Sequence, residues 1–229
     1  MNLSIMWDAV PKLLAGVPVT LQLVSLALLF GFVLAAVIAL MRLSGSRIAS
    51  AFAAAYVFVF RGTPLLVQIF LIYYGLGQFP EVRSSIFWAI LREPYWCGIL
   101  ALTLNTAAYT SEMIRGGIQS VPPGQIEAAR ACGYSRFLVF RRIVAPIAMR
   151  QALPAYGNEV ILMVKASSLA STITLLEITG IARRIISQTF AVFEVFIVAG
   201  AIYLVINFLI TRLIRYAEWR LTPYLRRPA

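Results

Sequence analysis

Apolar residues run in blocks too long and too unbroken for a soluble core, and the polar positions between them mark where the chain turns. About 20 mostly apolar residues cross the roughly 30 Å hydrocarbon layer as a helix. On that measure the pattern predicts five spans: Leu13–Leu40, Ala51–Leu76, Tyr95–Ile114, Gln151–Leu169 and Phe193–Leu213. They make one all-α domain, residues 1–229. The first span, preceded by Trp7 and interrupted only by Gln22, Ser25 and Gly31, reads as a lipid-facing or peripheral helix. The second contains Arg61-Gly-Thr-Pro64, and a kink is expected where Pro64 removes a backbone hydrogen bond. The stretch 77–94 reads as an outer loop with an interfacial helix around Ile86–Leu91. Leu175–Ser187 has helical periodicity but is short and charged, which predicts an outer-surface lid.

Between the third and fourth spans lies a segment, about residues 120–147, that cannot cross. Ser120 before Pro122 and Pro123 signals a helix start, and Gly133 an end. Ser135 is placed to cap a second helix carrying Phe137, Phe140, Ile143 and Val144, which Pro146 is expected to stop. Two short helices joined at a glycine make a compact knob.

Composition sharpens this picture. The chain is 61% hydrophobic and 13% charged, so it belongs in a membrane. Its net charge of +11 is sorted by side. Arg42, Arg47, Arg115, Arg130, Arg136, Arg141, Arg142, Arg150, Arg212, Arg215, Arg220, Arg226 and Arg227 fall on one face, 13 of the 20 basic residues. The positive-inside rule makes that face cytoplasmic, with the N-terminus outside and the C-terminus inside. The start of the chain lacks a basic region ahead of its apolar run, so no cleavable signal is expected. The basic tail, with Tyr216, Trp219 and Tyr224, reads as an interface anchor and not as a nucleic-acid module.

The chain has no histidine and two cysteines, Cys97 and Cys132, which the topology puts on opposite sides of the bilayer as free thiols. Metal and serine–histidine chemistry therefore lose their usual groups. No Gly-Lys-Ser/Thr loop is present, because Lys12 and Lys165 follow Pro11 and Val164, so ATP is not hydrolysed by this chain. What remains costly is polar residues at membrane depth. Asn105, Tyr109 and Glu112 recur at helical spacing in the third span, where interhelical hydrogen bonding suits the adjoining threonines. Asn158, Glu159 and Lys165 lie in the fourth. On an ideal helix Glu159 and Lys165 are about 120° apart, so they do not form a simple pair. A carboxylate and an ammonium at similar depth suit the two ends of a zwitterion, or each is neutralised by another helix or shifted in its protonation. Arg61 either reaches the inner interface or lines an internal path.

Glu127-Ala-Ala, Gly133, Ile143 and Pro146 match the pattern E-A-A-x3-G-x9-I-x-L-P, with Ala145 in place of leucine. On these residues the chain resembles the membrane subunits of binding-protein-dependent ABC importers. Arg61-Gly-Thr-Pro-Leu-Leu-Val-Gln, Leu104-Asn-Thr-Ala-Ala-Tyr-Thr-Ser-Glu112 and Asn158-Glu-Val-Ile-Leu-Met-Val-Lys165 resemble the polar amino acid permeases, in particular the histidine/lysine-arginine-ornithine and opine group. The resemblance implies a type I importer transmembrane domain in a bacterial inner membrane. It implies two ATPase subunits that bind ATP and magnesium, a periplasmic amino-acid-binding protein, and a homologous second permease or a second copy. Gln125, Glu127, Ala128, Ala129, Arg130 and Gly133 would contact the ATPase. Asn105 and Glu159 would meet a cationic or polar substrate side chain and Lys165 its α-carboxylate, with Arg61 and Glu112 as pathway or gate groups. The competing reading is an ion-coupled secondary transporter with Glu159 as coupling carboxylate, although no inverted repeat is evident.

Overall fold

The computed structural model describes residues 2–221; Tyr224, Arg226 and Arg227 lie outside the described residues. Every regular element among them is helical. The amino-terminal helix α1 (Leu3–Leu14) precedes the long α2 (Val17–Leu43). Next come α3 (Arg47–Gly62) and α4 (Leu65–Phe70), followed by a π turn at Leu71–Gly75 and a 3-10 turn at Leu76–Gln78. Two single-turn helices, α5 (Pro80–Arg83) and α6 (Trp88–Leu91), lead to α7 (Pro94–Gln119). The knob is α8 (Pro123–Ala131) and α9 (Arg136–Val139). A π turn at Phe140–Val144 runs into α10 (Ala145–Ala166), and a 3-10 segment, Ser167–Ile173, precedes α11 (Ile178–Thr189) and α12 (Val192–Leu221).

Among the described residues, α2 and α12 are each long and apolar enough to cross a membrane. Two further pairs qualify only jointly. Arg47–Gly62 with Leu65–Gln78 bends by 105°, and Arg136–Ile173 with Ile178–Thr189 bends by 47°. The 26-residue α7 is long enough but too polar, for a physical reason: Thr103, Asn105, Thr106, Thr110 and Ser111 are all buried in the bundle. A helix at the centre need not show lipid an apolar surface.

The first span is not peripheral. α2 and α7 form the most extensive helix pair in the fold. Gly31 allows their close approach, since a Cβ built there would lie 2.3 Å from Cγ2 of Thr106. Gly31→Leu is therefore expected to push α2 off α7 at a cost of about 1–3 kcal/mol or more, read as a lowered melting temperature of the purified protein. The main core joins α1, α2, α7, α10, α11 and α12 through residues such as Leu13, Leu23, Leu102, Met163, Ile178 and Val195.

Three other expectations change. The kink at Pro64 is a complete break. Pro146 does not stop its helix: it sits in the first turn of α10, where a missing N–H costs little, and the π turn before it absorbs the mismatch. The segment 175–187 is more than a surface cover: one face of α11 buries Ile178, Gly180, Ala182 and Ile185, and its N-cap Glu177 is 0% exposed, while Arg183 and Arg184 stay exposed. Sharp turns in the left-handed region at Thr174 (φ 69°) and Phe190 (φ 57°) bound it.

Candidate transport pathway and coupling surface

The break between α3 and α4 follows from three residues. In an unbroken helix the Phe60 carbonyl would accept from the amide of residue 64, which is proline and has none. The Gln68 amide replaces it, with Nε2 2.9 Å from Phe60 O, 3.2 Å from Thr63 O and 2.9 Å from Thr63 Oγ1. The Thr63 hydroxyl donates to Val59 O at 2.8 Å. Oε1 of Gln68 accepts from Nδ2 of Asn105 on α7 at 3.0 Å, and that same Nδ2 is 3.4 Å from Phe60 O. Asn105, read from sequence as a substrate contact, thus spends its amide nitrogen on this joint.

At the next residue of α7, the Thr106 hydroxyl donates to Oε1 of Glu159 on α10 at 2.9 Å. Glu159 is 4% exposed. Arg61, at the end of α3, lies over the Tyr109 ring at 5.1 Å, three residues along α7 from Thr106. Arg61, Asn158 and Lys165 are all on the exposed surface of the chain. Glu159 turns inward and Lys165 outward, so the two do not pair, consistent with their separation around the helix. The fold therefore brings Asn105, Glu159 and Arg61 into one neighbourhood on α3, α7 and α10, with Lys165 on the adjoining outward face.

Glu112 is engaged elsewhere. Its carboxylate holds Arg42 of α2 at 3.3 Å and Arg115 at 2.6 Å, and Arg115 reaches Gln119 at 2.6 Å. This half-buried cluster ties α2 to α7. In the knob, the helix start lies at Pro123; Ser120 instead closes α7, donating to Gly117 O at 2.8 Å. Gly133 adopts φ +78°, which glycine reaches without strain, and Ser135 caps α9 through the Leu138 amide at 3.3 Å. Gln125, Glu127, Ala128, Arg130 and Gly133 are exposed, whereas Ala129 packs inward with Val121, Val139 and Val144. Phe137 and Phe140 face outward, 70% and 45% exposed. Cys97 is buried and Cys132 exposed, both free. No group of three or more potential metal ligands occurs among the described residues.

The family model for the binding-protein-dependent transport system inner membrane component matches residues 9–223. The chain belongs to this family. The permease is 62% identical to the nopaline transport system permease protein NocM of Agrobacterium fabrum over 99% of its own length and 94% of the relative's. It is 44% identical to the histidine/lysine/arginine/ornithine transport system permease protein HisM of Escherichia coli K12, over 90% and 87%. Its fold matches a chain from the crystal structure of an amino acid ABC transporter with histidines, with a TM-score of 0.85 at 37% identity, covering 96% of the permease and 99% of that chain. It is the transmembrane permease component of an ABC importer with a type I fold, and family membership displaces the ion-coupled alternative. Two groups escaped the sequence reading. Gln68 carried a usable signal, a long amide four residues after a helix-breaking proline. Glu177 had only the acidic residue ahead of an apolar-periodic run.

Proposed function

We propose that the permease carries a basic amino acid or an amino-acid-derived opine, with Glu159 meeting the cationic end of the substrate. The observation that carries this is the buried Glu159 carboxylate at the α7–α10 contact, held by one hydroxyl and neighboured by Arg61. The names of the relatives, a nopaline permease at 62% identity and a histidine/lysine/arginine/ornithine permease at 44%, support the substrate class. A buried carboxylate without a full set of partners favours an incoming cation. Lys165 on the outward face is suited to the substrate carboxylate, and Asn105 keeps its side-chain oxygen for a donor.

In this reading the chain crosses the bacterial inner membrane five times, N-terminus outside and C-terminus inside, and pairs with a homologous permease or a second copy. Two separate ATPase subunits bind ATP and magnesium and dock on the knob. A periplasmic binding protein delivers the substrate to the outer face. The exposed row of Gln125, Glu127, Ala128 and Arg130 supports the docking role, since small residues beside charged ones permit close approach and charge-assisted bonds. Glu127→Arg is expected to weaken co-purification of the ATPase at least about tenfold, roughly 1.4 kcal/mol, while the isolated permease keeps its melting temperature.

The decisive test is reconstitution with the ATPase, partner permease and binding protein in proteoliposomes, followed by uptake of labelled nopaline, octopine, arginine, lysine and histidine. Uptake of at least one that requires ATP is the expected result. Uptake driven by a proton gradient without ATP, or ATP-dependent transport of none of the five, would refute the reading.

A further inference from the structure

The geometry points to Gln68 as a positioning residue for transport: its amide pins the broken α3–α4 helix to α7 and so keeps Arg61 over Tyr109, beside Glu159. Gln68 is 6% exposed and its amide is taken up by Phe60, Thr63 and Asn105, so its role is exerted through other groups. The bend it spans is 105°, and a side chain added at Gly62 would meet nothing within 4 Å. Packing therefore does not hold the break at its apex. The polar ties across it are Gln68 to Phe60 O, Thr63 O and Thr63 Oγ1, with Asn105 joined to the same node. The next tie between α3 and α7 is Tyr56, whose hydroxyl donates to Leu104 O at 2.6 Å, a full turn before the break. Arg61 lies between Tyr56 and Gln68, so both its ends are fixed. Removing the Gln68 tie leaves α4 held to α7 by the apolar packing of Ile69 on Cys97 and Ala101, but it frees the end of α3 to move against α7 and leaves the Phe60 carbonyl with only the long Asn105 contact at 3.4 Å.

Gln68→Met keeps the length and most of the volume but none of the hydrogen bonds. In proteoliposomes holding the complete transporter, uptake per assembled complex is expected to fall at least about tenfold, the scale on which misplacement of a site group acts. Basal ATP hydrolysis should stay within about twofold, so that more ATP is used per substrate moved. Thr63→Val, which removes one acceptor and leaves both carbonyl contacts, should cost uptake less than about threefold. A parallel loss of uptake and ATP hydrolysis, or full uptake in Gln68→Met, would overturn the proposal. Should Gln68→Met fail to assemble, Gln68→Asn keeps the amide but is one methylene too short to bridge Asn105 and the break, and the same comparison applies.

The inference rests on Glu159 and Arg61 being pathway groups, and a second measurement separates the two ideas. Spin labels at Gly62 and Gly116, both with open space around them, in a Cys132→Ser background, report the α3–α7 distance. Gln68→Met should shift or broaden that distance relative to the parent, and an unchanged distribution would sink the positioning role. Glu159→Gln should leave the distance unaltered. If it also leaves uptake unaltered while Gln68→Met shifts the distance, the substrate site is wrong and the pin stands.

Discussion

Glu159→Gln is expected to reduce uptake of cationic substrates by about 10- to 100-fold while leaving neutral ones within about threefold. The glutamine is isosteric, and its oxygen still accepts the Thr106 hydroxyl now 2.9 Å from the carboxylate, so the α7–α10 contact survives. What disappears is the negative charge. A hydrogen bond to a charged partner contributes about 1.5–3 kcal/mol, and each 1.4 kcal/mol is tenfold, which gives the range. Arg61, held over Tyr109 three residues along α7 from Thr106, sharpens the effect: with Glu159 neutral, its positive charge is less offset there and repels an incoming cation. Initial uptake rates for arginine and glutamine in proteoliposomes check this, with unchanged yield of assembled transporter as the control. Equal loss for both substrates would mean that Glu159 supports the fold and does not select the cargo.

Legibility in the sequence followed from what kind of force sets each feature. The knob was readable because local rules build it: Gly133 at φ +78° and the Ser135 cap are decided within four residues. That Glu159 and Lys165 do not pair followed from helical geometry; which of the two turns inward did not. The central place of α2 was not readable. Its residues are apolar all round, which suits lipid and core equally, and only the partner surface on α7 breaks that tie. Pro146 misled because a proline is a stop signal in a helix interior and a neutral residue in a first turn, and the π turn that changes its position depends on packing. The short, charged α11 looked like surface because one partner of its buried carboxylate, Tyr203, lies 26 residues on, beyond the local cap at Thr179 and Gly180. Sequence patterns price a charge as exposed unless the partner is visible nearby.

Glu177→Ala is expected to be the most damaging single truncation in the fold. Oε1 of Glu177 accepts the Gly180 amide at 2.7 Å, and Oε2 accepts the Thr179 amide at 3.0 Å and the Tyr203 hydroxyl at 2.6 Å. The carboxylate thus caps α11 and at the same time fastens it to α12. The same joint reaches α2, where Thr20 Oγ1 accepts the Ile178 amide at 3.4 Å and donates to Gly16 O at 3.1 Å. Space for adjustment is absent, since a Cβ at Gly16 would lie 2.8 Å from the Ile178 amide nitrogen and one at Gly180 only 1.9 Å from Leu175 O. Alanine leaves the Thr179 and Gly180 amides without acceptors and the Tyr203 hydroxyl with only Thr179 Oγ1 at 3.1 Å, at about 1–3 kcal/mol for each lost bond, and the sum, on the order of 3–5 kcal/mol after partial relaxation, is a large share of a domain's stability. The melting temperature should fall by roughly 10 °C and the yield of assembled transporter with it. Tyr203→Phe removes one of the three bonds and should cost about 1.5–3 kcal/mol. Because the Tyr203–Glu177 bond is lost in both single variants, the double variant should cost less than the sum of the two single losses. Strict additivity would mean that Glu177 and Tyr203 act independently, and that the cap of α11, not its fastening to α12, is what the buried carboxylate supplies.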